Sequence, residues 1–254
     1  VEEGNLHRQP LYRMTDLGRS KARTARQHLI ATHPDISVDA LDQPLHPGNA
    51  AALVASADVV VDAADSFAVS YILSDVCLDL NTPLISASAL GQTGYAGGFC
   101  GSAPSLRAVF PDLPDRGASC ATAGVLGPVV GMIGSLQAQM TLQILLGQRP
   151  GPMGRIVTLD LKQLRFGGFG FLDAVDPLSP VRFLSCSELR STDQLVELRD
   201  QAEAPEMIDS KARRWSVQNI EKLRVDPVRR VVLCCATGLR ASKAARYLRA
   251  QGHD

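Results

Sequence analysis

Three stretches hold residues able to do chemistry. In "VVLCCATGLRASK" (231–243) Cys235 ends an apolar β-branched run and a short loop leads to Arg240, which opens a helical pattern. Successive backbone N–H groups in such a turn cradle an anion, and the positive end of the following helix adds to the effect. Both favour thiolate over thiol. In "VVVDAADS" (59–66) Asp65 follows a strand-like run, where a carboxylate can hold Mg²⁺. Upstream, "GNLHRQ" (4–9) offers Asn5 and Arg8, and "GRSK" (18–21) offers Lys21, a set able to clamp phosphate and ribose oxygens. Cys120 opens "CATAGVLGPVVG" (120–131), just ahead of a glycine-rich apolar run. Each has a plain counterpart: a solvated surface cation, an aspartate capping a helix, or a cysteine packed as a small hydrophobe.

Elements must bring these residues together. Residues 20–33 read as an amphipathic helix with Ser20 as N-cap, 36–42 as an alternating strand, and 49–57 as a short helix. Residues 58–63 read as a strand buried on both faces, 66–81 as a helix and 83–90 as a strand. This alternation predicts α/β crossover units and a Rossmann-like, doubly wound, mostly parallel sheet, which binds ligands at the carboxyl ends of its strands. Residues 93–100 and 155–161 read as strands, 102–119 as a loop and 123–146 as a buried core helix. After the proline-bearing stretch 173–182, a second and smaller α/β unit is expected: helix 185–201, strands 205–209 and 228–236, and helix 241–252. Cys234, alternating with Cys235, is expected to point into the core.

Bulk properties exclude some functions. The 254 residues are 45% apolar and 20% charged, with 26 basic and 26 acidic side chains. A balanced charge argues against nucleic acid as the main partner. Six irregularly spaced cysteines read as reduced thiols in a cytoplasmic protein. No signal peptide pattern opens the chain, and residues 123–146 are too interrupted by Pro128 and polar residues to suit a membrane span. The absence of an initiator Met suggests a piece of something longer.

"VEEGNLHRQ", "GRSKA", "VVVDAADS" and "SCATAGVLGPVVGMIGSLQA", in this order, resemble the ThiF/MoeB/HesA family, relatives of ubiquitin-activating enzymes that adenylate sulfur carriers. The resemblance implies an adenylation domain over 1–172, a linker over 173–182, ATP contacts from Asn5, Arg8, Lys21 and Ser66, and Mg²⁺ on Asp65. The implied reaction joins the C-terminal glycine of a small ubiquitin-like sulfur-carrier protein to AMP. The implied assembly is a homodimer. Ser66 stands where the family usually has Asn, and Ser70 where it has Arg. The family's glycine-rich nucleotide loop would precede residue 1. Ser105 and Ala108 occupy positions of a zinc-binding cysteine pair, so zinc is not expected.

Residues 183–254 resemble a rhodanese-like domain lacking its last strand, with Cys235 as the sulfur-bearing residue and Arg240 at the far side of a four-residue loop. Lys211 replaces a usual arginine after Asp209. The combination implies a persulfide donor such as a cysteine desulfurase, with Cys120 releasing product by thiol exchange. Two other functions stay open at this point: a rhodanese-type sulfurtransferase alone, and a non-catalytic carrier-binding subunit. Carriers of this kind serve thiamine, molybdopterin and tRNA thiolation alike.

Overall fold

The computed structural model describes residues 1–113 and 124–253; Cys120 lies outside the described residues. Helix α1 (Lys21–Thr32) starts where Ser20 accepts a hydrogen bond from the Arg23 N–H, and α2 (Pro47–Ala55) starts at a proline in its first turn. Strand β1 (Val60–Asp62) leads into α3 (Phe67–Asp79), capped by Ser66, and back to β2 (Pro83–Leu90). Next come β3 (Thr93–Cys100), the single turn α4 (Leu106–Val109), α5 (Gly127–Leu145), β4 (Arg155–Asp160) and β5 (Arg165–Gly170).

The α/β expectation holds, and the strands order β1-β2-β3-β4-β5. The β1–β2 ladder, bridged by the α3 crossover, is parallel; the other three are antiparallel. Short connections decide this: Gly91 and Gln92 alone join β2 to β3, and a hairpin that tight turns the chain back on itself. Helix α5 lies across β2 and β3. It buries Val129, Ile133, Gln137 and Met140, a stripe at helical spacing, while Leu142 stays 51% exposed. The helix is therefore half-buried rather than wholly a core element.

A second sheet, parallel throughout in the order β7-β6-β8, comprises β6 (Gln194–Glu197), β7 (Arg213–Arg214) and β8 (Val231–Cys234). Helix α6 (Leu239–Ala250) packs Ala244 and Leu248 into its core beside Val196 and Ile220.

Four local expectations fail for identifiable reasons. Residues 185–201 form a 3-10 turn (Cys186–Glu188) and β6, because the Asp193 carboxylate takes the Arg190 N–H at 2.7 Å and ends any helix there. The strand expected at 205–209 is displaced to β7; Pro205 lacks a donor, and Asp209 closes a turn on the Lys211 N–H at 2.7 Å. Residues 36–42 run without a ladder and are held to α1 instead, Arg26 Nε donating to the Val38 carbonyl at 2.8 Å and Arg23 pairing with Asp42 at 3.1 Å. Val61 is 44% exposed, since within the described sheet β1 is an edge.

Polar contacts link the first unit to the connecting segment and to α6. Arg107, 4% exposed, holds Asp75 at 2.6 and 2.9 Å, lies 4.8 Å from the Tyr71 ring centre and donates to the Val181 carbonyl at 3.0 Å. Ser105, from the cysteine-pair position, hydrogen-bonds Asp176, and Arg246 of α6 pairs with Asp112 at 3.1 Å. Among the described residues no cluster of three metal-ligating side chains occurs, and no helix is long and apolar enough to cross a membrane.

Candidate functional site

One part of the front constellation, Asp65 with Ser66, lies just beyond the carboxyl end of the parallel ladder. Asp62, the last residue of β1, is 1% exposed and accepts from Ser86 Oγ at 2.8 Å and from the Ala64 N–H at 3.1 Å. Burial pushes its carboxyl above the ordinary range, against the pull of those hydrogen bonds. Its carbonyl and that of Ile85 accept from the Gln137 amide at 2.8 and 3.3 Å, so one buried glutamine of α5 stitches both strand ends. The turn so fixed presents Asp65 and Ser66, both exposed, at the start of α3. Asp62, Ser86 and Gln137 were missed as site residues. The only sequence signal was the paired spacing of "DAAD" and a polar residue inside an apolar helix stripe.

Asn5 and Arg8 meet directly, the Arg8 guanidinium donating to Asn5 Oδ1 and, at 3.0 Å, to the Gly4 carbonyl. Asn5 is buried, and this turn lies against the first turn of α5. A side chain at Gly127 would collide with the His7 carbonyl oxygen at 2.3 Å, so only glycine permits that approach. Lys21 is the exposed first residue of α1; its carbonyl accepts from Tyr12 Oη at 3.1 Å. Among the described residues neither the Lys21 ammonium nor the Asp65 carboxylate has a hydrogen-bonded or ionic partner. The structure thus joins Asn5 to Arg8 and Asp65 to Ser66, without a direct bond between the two pairs. All four are oxygen or cationic groups suited to a phosphate–Mg²⁺ ligand.

The second constellation opens on a cleft of about 430 Å³ between the two sheets. Ser66, the cap of α3, and Ala68 in its first turn line it from one side, Phe183 to Cys186 from the connecting segment, and Cys234 to Gly238 from the second unit. Gly238 has φ +82°, and a side chain there would meet the Phe183 ring at 2.5 Å and Ala68 at 3.7 Å. The Cys235 loop is thereby seated close to the first turn of α3, with Ser66 lining the same cleft.

Cys235 Sγ accepts the Ala241 N–H at 3.3 Å, so the helix start does present a donor to this sulfur. Arg240, the second residue of α6, is held by Glu203, with Nη1 2.7 Å from Oε2, a carboxylate partner that sequence reasoning did not find. Cys234 does not point into the core. The strand ends with it, so alternation stops, and it lines the cleft beside Cys235 while Cys235 packs on the second core. Burial and the neighbouring Glu197 charge push the Cys234 thiol up to about 11. Cys77 and Cys100 are buried and pushed up to about 12 by burial, thiols packed as core.

Residues 1–174 match the ThiF family. The chain belongs to the ThiF family. It is 34% identical over 168 residues to the SAMP-activating enzyme E1 of Haloferax volcanii, covering 65% of this chain and 62% of that one. It is 38% identical over 167 residues to the sulfur carrier protein ThiS adenylyltransferase of Escherichia coli, covering 64% and 65%. With the adenylyltransferase and sulfurtransferase MOCS3 of Anopheles gambiae the match reaches 205 residues at 34%, covering 78% of this chain but 44% of that one. The ThiF-family chain thus spans less than two thirds of each of these relatives. Among solved structures, E. coli MccB shares the fold with a TM-score of 0.60 at 19% identity, over 73% of this chain and 57% of that one.

Proposed function

We propose that this ThiF-family chain adenylates the C-terminal glycine of a small ubiquitin-like sulfur carrier and passes sulfur to it through Cys235. A carboxylate oxygen of the carrier attacks the α-phosphorus of ATP; the P–O bond to pyrophosphate breaks and its electron pair leaves with pyrophosphate. Protein covalent chemistry is not needed, only positioning and charge. Lys21 and Arg8 hold phosphate oxygens, and Asn5 orients Arg8 through the bond between them. Asp65, exposed and carboxylate-bearing, has the hard oxygen donor suited to Mg²⁺ and would hold it, where the ion neutralises phosphate charge. Asp62 keeps Asp65 in place through the Ala64 N–H.

The observation that carries the sulfur half is the seating of the Cys235 loop on α3, with Ser66 and Cys235 lining one cleft. An acyl-adenylate made beside Ser66 faces the sulfur without a long journey. A persulfide on Cys235 is favoured by the Ala241 N–H. Its source would be a persulfide donor such as a cysteine desulfurase. The exposed apolar face of α5, with Met132 at 39% and Leu145 at 54%, supports a homodimer.

ATP–pyrophosphate exchange tests the reading. It is expected only when the carrier is present, and to vanish in Lys21→Ala. Ser66 and Ser70, where resembling enzymes carry Asn and Arg, favour a second reading as a non-catalytic carrier-binding subunit. Under it, Lys21→Ala leaves carrier binding and pathway function intact and no exchange is seen in any variant.

A further inference from the structure

The loop that carries Cys235 is shared between two cores. Cys235, at its head, packs against the core of the second unit, which holds Val196 and Leu248. Leu239, the first residue of α6, packs against the core of the first unit, which holds Tyr71 and Leu106. Phe183 packs against that same first core, and its ring closes on Gly238, the residue before Leu239. Phe183 is itself held from the first unit. Arg107 of α4 donates to the Val181 carbonyl at 3.0 Å, and Arg182 grips Asp79 of α3 at 2.6 and 2.9 Å. Burial of Phe183 and Leu239 is a non-directional pull toward the first unit. The left-handed turn at Gly238, with φ +82°, supplies the direction by letting the loop backbone come up against the ring.

We propose that Phe183 and Leu239 are positioning residues that clasp the Cys235 loop to the adenylating unit, so that Cys235 meets the activated carrier from a fixed seat rather than from a swinging second unit. The inference rests on the sulfur-transfer reading above. Both side chains act through the loop backbone. The step they serve is a substitution. The terminal sulfur of the Cys235 persulfide forms a C–S bond to the acyl carbon, the C–O bond to AMP breaks, and its electron pair leaves on AMP. The clasp alters none of these bonds. It sets how often sulfur and acyl carbon are brought together in line, a factor to which rates respond steeply.

The test uses the full chain with a purified ubiquitin-like carrier, ATP, Mg²⁺, and cysteine desulfurase with cysteine as persulfide source. Three rates are read separately: carrier-dependent pyrophosphate exchange, persulfide loading on Cys235, and single-turnover AMP release from the preloaded chain above the Cys235→Ser background. Phe183→Ala and Leu239→Ala are each expected to keep exchange and loading within about twofold of wild type, while AMP release slows by about tenfold to a hundredfold. Phe183→Tyr keeps the ring and is expected to recover most of that rate. AMP release at the wild-type rate in both alanine variants overturns the clasp. So does a parallel loss of all three rates, which would make both residues packing alone, and so does Phe183→Tyr no better than Phe183→Ala. Wild-type chain that takes no persulfide on Cys235, or releases AMP no faster than Cys235→Ser, overturns the sulfur-transfer reading and this inference with it.

Discussion

Asp62 and Ser86 face one another across the β1–β2 ladder, Ser86 Oγ donating to Asp62 Oδ2 at 2.8 Å. The other carboxylate oxygen of Asp62 takes the Ala64 N–H, one residue before Asp65. A buried acid at a strand end thus sets the direction of an exposed one.

Asp62→Ala is expected to lower carrier-dependent pyrophosphate exchange by about tenfold to a hundredfold, because a loosened turn misplaces Asp65. Asp62→Asn keeps an amide oxygen for the Ala64 N–H and is expected to recover most of the rate. Exchange assays on both variants, with melting temperatures alongside, check this. An asparagine variant no better than alanine would sink the positioning role.

Lys21 and Asp65 are exposed, so their loss should spare the fold. Lys21→Ala and Asp65→Asn are each expected to cost about a hundredfold or more in exchange, while urea midpoints stay near wild type. Raising Mg²⁺ should partly rescue Asp65→Asn and leave Lys21→Ala unchanged; equal rescue of both counts against Asp65 as the metal ligand.

Arg107→Ala leaves Asp75 buried without its cation and frees the Val181 carbonyl. The expected cost is about 3–5 kcal/mol, measured by urea unfolding. Arg107→Met with Asp75→Leu should restore much of it, since an apolar pair of similar volume avoids the desolvation penalty.

Arg199 and two backbone N–H groups hold the buried Glu197 carboxyl down at about 2, against burial. A depressed acid binds protons less well in the folded chain than in the unfolded one. Its contribution is therefore fully present above the ordinary glutamate value of about 4.3 and is lost as pH falls toward 2. Glu197→Gln should flatten stability against pH in that window, read by urea midpoints between about pH 5 and pH 2.5. An unchanged slope would mean that other carboxylates dominate acid unfolding.

Cys235→Ser is expected to abolish thiocarboxylate formation and leave pyrophosphate exchange within about twofold of wild type. Mass spectrometry of the carrier product distinguishes the two. Loss of both activities together would argue that the loop is needed to hold α3 rather than to carry sulfur.

Much of this was legible in the chain itself. Ser20 and Ser66 read correctly as helix starts because a cap is a local bargain between one side chain and the next turn. Strand β2 read correctly over its whole length, and the Cys235–Arg240 spacing identified a strand, a loop and a helix in that order. The region 185–214 read poorly because Asp193 and Asp209 satisfy the backbone with side-chain oxygens, and hydrophobic period carries no trace of that.

By itself, the sequence determined the family and the α/β class, since these depend on short patterns and local propensity. Tertiary structure alone decided that Gln137 ties two strand ends, that Glu203 engages Arg240, and that Phe183 and Ala68 seat Gly238 so that Cys186, Cys235 and Ser66 share a cleft. Those relations join residues far apart in the chain through packing and buried hydrogen bonds, and such partners are chosen only when the elements close on one another.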